Sequence, residues 1–149
     1  MAKIEIDEIL DAIEETLSTA DGVSFSQSYD ELGEAIVDMP LLQVWPASGV
    51  DDEPHRSDRS TFGKGVSQRQ YTIYADFFAQ QRAHIGEDMA ALVRGIKGIE
   101  AVLDNQTTKP YFGIEIQGFS WGWAYTTFVY GEINQRYVGA RFTIDVWTY

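Results

Sequence analysis

The chain has 149 residues, no cysteine, and 23 acidic against 11 basic side chains, for a formal charge of −12. That length suits one domain with a real core, and eight Phe, eight Tyr and four Trp are too many for a disordered chain. The missing cysteines exclude disulfides, thiolate metal sites and cysteine nucleophiles, and the acidity argues against sequence-independent nucleic-acid binding, which rests on basic residues displacing counterions.

The opening stretch, Met1 to Leu10, is acidic and lacks an apolar run of signal-peptide length, and no later stretch approaches a membrane span. Neither signal-directed export nor membrane insertion is expected, and a reducing cytoplasm fits. Ile6, Ile9, Leu10, Ile13 and Leu17 recur at helical spacing with Asp7, Glu8, Asp11, Glu14 and Glu15 between them. This predicts an amphipathic helix over about 5–19, stopped by a left-handed glycine near Asp21-Gly22. Ser28 and Glu31 have capping-box spacing, which predicts a short helix over about 28–37 that Met39-Pro40 ends.

Leu41 to Trp45 reads as a buried strand closed by Pro46. From Ala47 to Val66 glycine, proline and acidic residues dominate, predicting a long exposed loop (about 47–66) between the first two strands. Tyr71, Ile73, Ala75 and Phe77 then alternate with polar neighbours, as in a strand with one buried face. Ile85, Met89, Leu92, Val93, Ile96, Ile99 and Leu103 mark the main helix (about 85–104), where Gly95 and Gly98 each cost about 1 kcal/mol relative to Ala and so imply close packing against a sheet. Residues from about 113 to 149 are β-rich. Val138, Ala140, Phe142, Ile144 and Val146 share one face of the last strand, and Tyr137, Arg141, Thr143, Asp145 and Trp147 share the other. The order predicts a single α+β domain over 1–149, a mostly antiparallel sheet with helices packed on one face. If Tyr137, Trp147 and Tyr149 line an uncovered face, that face is an interface.

No motif predicts catalysis, and no cofactor or metal is expected. Gly118-Phe119-Ser120-Trp121-Gly122 matches the serine-hydrolase elbow, but more strand follows it and no His lies beyond His84. The Gly63-Lys64 pair lacks the spacing of a P-loop. His55 and His84 lack partners at metal-ligand spacing, and Asp51-Asp52-Glu53 lacks the alternation of a calcium loop. The carboxylates of the first helix read as a solvated face.

The element order resembles the tail terminator (tail completion) proteins of long-tailed bacteriophages. The resemblance runs through the acidic first helix, the strand Pro40 to Pro46, a long loop, the strand Arg69 to Asp76, a core helix and the closing strand Tyr137 to Phe142. The stretch His84 to Leu92 is also similar to prophage-encoded virion proteins. The resemblance implies a non-enzymatic virion protein, made in the host cytoplasm, whose homo-oligomeric ring, a hexamer, sits between the tail tube and the neck or connector. DNA passes through the lumen unbound, and carboxylates there would repel its phosphates. Arg56, Arg59, Phe62 and Lys64 of the loop, with Arg69, Tyr137, Trp147 and Tyr149, are the expected interface residues. Another connector or tube component, or an acidic DNA mimic that inhibits a nucleic-acid-binding enzyme, are the alternatives.

Overall fold

The structure, a computed structural model, describes residues 4–28, 40–51, 69–81, 89–130 and 135–148. Helix α1 spans Ile6–Leu17 and α2 spans Met89–Asp104; the strands are β1 (Phe25–Ser28), β2 (Leu41–Asp51), β3 (Arg69–Gln81), β4 (Gly118–Tyr130) and β5 (Gln135–Thr148). They form one five-stranded sheet in the order β1-β2-β3-β5-β4. Only β1 and β2 run parallel; each other neighbouring pair is antiparallel. The fold is mixed α+β with a mostly antiparallel sheet.

Helix α1 buries Ile9, Leu10, Ile13 and Leu17, the stripe its spacing predicts. The Glu5 backbone N–H donates to Glu8 Oε2 at 3.2 Å, which satisfies one of the amides at the start of the helix. Asp7 and Glu8 in the first turn also suit the positive end of the helix dipole. The helix ends at Leu17, earlier than expected, because the Ser18 to Asp21 turn intervenes before Gly22 takes its left-handed φ of 93°. That turn touches the backbone of α2. A Cβ on Gly22 would lie 2.9 Å from the Gly95 backbone, and one on Gly98 would run into the carbonyl oxygen of Asp21. Gly95 also leaves room for the Phe77 ring of β3, so the expected sheet contact is real there, whereas Gly98 accommodates the turn instead.

The buried stripe of α1 joins Leu92, Ile96, Ile99 and Leu103 of α2 in one core. The sheet contributes Leu42 and Val44 of β2, Ile73, Ala75 and Phe77 of β3, and Val138, Ala140, Phe142, Ile144 and Val146 of β5. This is the alternation read in β3 and β5. On the other side of the sheet Leu41, Phe78 and Tyr137 form a smaller cluster, against which Phe128 packs.

Several elements depart from expectation. The strand from Leu41 does not close at Pro46: the register shifts between Pro46 and Ser48, and Ser48 to Asp51 then pair with Thr72 to Arg69. A bulge at Ala47 absorbs the proline, which has no N–H to give the ladder, so residues 47–51 are strand rather than loop. Residues 52–66 of the expected loop lie outside the described residues. Ser28 closes β1, paired with Val44, and residues 29–37 of the expected short helix lie outside the described residues. Residues 85–88 of the main helix also lie outside them. Ile114 and Ile116 precede β4 in a compact turn, where Tyr111 bridges Ile114 and the Phe112 N–H donates to Gln106 Oε1 at 2.8 Å.

Candidate functional site

β4 pairs with β5 residue for residue, from Gly118 opposite Trp147 to Tyr130 opposite Gln135, without a bulge. Among the described residues its outer side has no strand. None of its thirteen residues is charged and none is proline. Edge strands are ordinarily blunted by lysine, proline, bulges or shortness, because a row of free N–H and C=O groups is a template for another strand. β4 has none of these protections.

Its core-side residues divide into two sets. Phe119 stacks against Phe112 (centroids 4.7 Å apart) and Tyr111 (5.3 Å), and Trp121 leans on Phe142. Further along, Trp123, Tyr125 and Val129 are 42%, 50% and 57% exposed. The Trp123 Nε1–H donates to Glu100 Oε2 of α2 at 3.0 Å, which orients the indole without covering it. On the opposite side Gly122 and Ala124 are small and exposed, so a second backbone can approach there.

The other side of the sheet centres on a polar cluster. Asp76 is fully buried, and its carboxylate accepts from Arg141 Nε (2.8 Å), an Arg141 terminal nitrogen (3.1 Å) and Trp45 Nε1 (2.9 Å). The hydrogen bond to Asp76 raises the pKa of Arg141, which is held charged. Its guanidinium lies 4.1 Å from the centroid of the Tyr74 ring. With both carboxylate oxygens engaged, the cluster ties β2, β3 and β5 together. Nearby, Thr72 Oγ1 donates to Asp145 Oδ1 at 2.7 Å. A cleft of about 750 Å³ beside the turn after α1 holds Arg94, whose guanidinium is engaged by Asp21 at 2.7 Å.

Three of the expected interface residues, Arg69, Tyr137 and Trp147, fall among the described residues. Tyr137 is fully buried inside the subunit, Trp147 is half-buried opposite Gly118, and Arg69 is half-buried at the start of β3. Arg56, Arg59, Phe62, Lys64 and Tyr149 lie outside the described residues, as do His55 and His84. Ser120 sits within continuous strand opposite Asp145, not at a strand-to-helix turn. Among the described residues no group of three His, Asp or Glu could hold a metal ion, and no helix is long and apolar enough to cross a membrane. The feature that sequence reasoning missed is the β4 edge, although its signal was present: thirteen consecutive residues without a charge in a chain of net −12. The chain matches no protein-family model and no curated protein in sequence.

Proposed function

We propose that this chain is a structural subunit of a phage tail or neck, a tail terminator-like protein that forms a ring closing the tail tube and joining it to the head-side connector. The observation that carries the reading is the long, charge-free edge of β4 with Trp123, Tyr125 and Val129 exposed beside it, a surface left incomplete in the single subunit. In this reading the two helices cover one face of the sheet. The residues after β2, Arg56, Arg59, Phe62 and Lys64 among them, supply contacts to a neighbouring subunit or to the tube. The ring is a hexamer, resident in the virion and assembled in the host cytoplasm, and its carboxylates keep DNA moving through the lumen.

The test is to add the purified protein to tail tubes that lack their terminal ring and to image them by electron microscopy. A ring at the tube end is the expected result. Protein that binds neither tubes nor connector refutes the reading. A second reading, an acidic DNA mimic, is favoured by the exposed stripe Asp7, Glu8, Asp11 and Glu15 on α1. It requires competition with DNA for a nucleic-acid-binding enzyme.

A further inference from the structure

We infer that the β4 edge pairs with the β4 edge of a second copy, antiparallel and about a two-fold axis at Ala124, joining two five-stranded sheets into one of ten strands. The choice of occupant follows from length. Among the described residues the sheet has one other edge, β1, which is four residues long. A head-to-tail addition through β1 would leave most of the thirteen residues of β4 unpaired. A second β4 matches the whole edge, about 44 Å at the rise of an extended strand.

The sequence of β4 is self-complementary in this register. With Ala124 opposite its own copy, Trp123 meets Tyr125, Gly122 meets Thr126, Trp121 meets Thr127 and Phe119 meets Val129. Paired residues share a face of the sheet, so each exposed Trp123 falls beside an exposed Tyr125, twice by symmetry. At the axis two alanines cross, which leaves room for close approach. Charge points the same way. Two molecules of net −12 repel, and β4 is a strip where they can touch without opposing carboxylates. Association should therefore tighten as salt screens that repulsion.

A two-fold contact closes at two copies, unlike the head-to-tail contact of a single ring. In the free subunit it shields an edge that would otherwise recruit strands indiscriminately, until assembly replaces it. The inference stands whether or not the terminator reading holds.

Light scattering over a concentration and salt series should give twice the subunit mass. Ala124→Cys, in a chain without other cysteines, should cross-link to a covalent dimer under mild oxidation, since opposed Cα atoms about 4.5–5.5 Å apart suit a disulfide. Ser120→Cys should not, because the two copies of position 120 lie about 27 Å apart in this register. A124K and A124E should each fall to the single-subunit mass, and an equimolar mixture should recover the double mass. Circular dichroism confirms that each variant is folded. A wild-type protein that stays monomeric at every salt concentration overturns the inference. So does an oligomer that survives both charged substitutions, or cross-linking of Ser120→Cys in place of Ala124→Cys.

Discussion

Replacing Arg141 by Met should destabilise the fold more than replacing Asp76 by Ala, although both break the same ion pair. The Asp76 side chain has no exposed surface, while that of Arg141 is 37% exposed. Breaking a buried pair costs about 3–5 kcal/mol, mainly because the remaining charge is stranded. R141M strands a buried carboxylate that keeps, among the described residues, the Trp45 donor alone, and it also removes the cation from the Tyr74 ring, so its cost is about 4 kcal/mol. Asp76→Ala strands a guanidinium that already reaches solvent, as does Trp45 at 39% exposure, so about 2 kcal/mol is expected. Urea denaturation measures both, with the m-value as a check that the unfolded reference is unchanged. The double variant D76L/R141M, which leaves no charge behind, should be less destabilised than R141M alone. An Asp76→Ala cost equal to or above that of R141M would refute the reasoning, as would a cost below about 0.5 kcal/mol for either, the level of an exposed pair.

Gly98→Ala should destabilise the protein despite a gain in helix propensity of about 1 kcal/mol. The added methyl meets the Asp21 carbonyl, a backbone atom that cannot rotate away, so a net loss of about 1–2 kcal/mol is expected by thermal or urea unfolding, and a stabilised variant would overturn the account. Arg94→Met tests the exposed pair with Asp21 through pH. The Arg94 hydrogen bond first, and its charge second, hold the Asp21 carboxyl below its ordinary value in the folded state. That contribution is present above the unfolded carboxylate pKa and is lost as pH falls through the lowered folded one. Wild type and R94M should therefore differ near neutrality and converge in acid; a difference that grows in acid would refute the assignment.

The parts of the fold that were legible in the sequence are those with a long, clean period. Ile9, Leu10, Ile13 and Leu17, the alternation from Tyr71 to Phe77, and that from Val138 to Val146 each carry their burial pattern locally. β1 was not legible because four residues hold too little periodicity. The continuation of β2 was hidden because Pro46 is a strand terminator unless a bulge follows it. Asp76 sits at a polar position of an alternating strand, which ordinarily means solvent, and its partner Arg141 is 65 residues away, so no local signal marks the pair. The same holds for the edge. The sequence shows aromatic residues on both faces of β4, but its place at the margin depends on β5 inserting between it and β3.

Why β4 is uncovered follows from the widths of the elements. A helix is about 10 Å across and strands lie about 4.8 Å apart, so each helix covers about two strands. Helix α1 meets β1, β2 and β3, and α2 meets β3 and β5, so among the described residues β4 is the strand that the two helices reach least. The turn Tyr111 to Ile116 covers the beginning of β4 by stacking Tyr111 and Phe112 on Phe119. Past Trp121, a hydrogen bond from Trp123 to Glu100 links β4 to α2, and Tyr125 and Val129 stand in solvent. A chain adapted to remain single would place lysine or proline there, at little cost to its own core, because those positions contribute little buried area. Apolar side chains at an edge are useful only when something fills the edge. The charge-free composition of β4 in an otherwise strongly acidic chain is thus best explained by a strand partner that also carries no charge, and another β4 meets that condition.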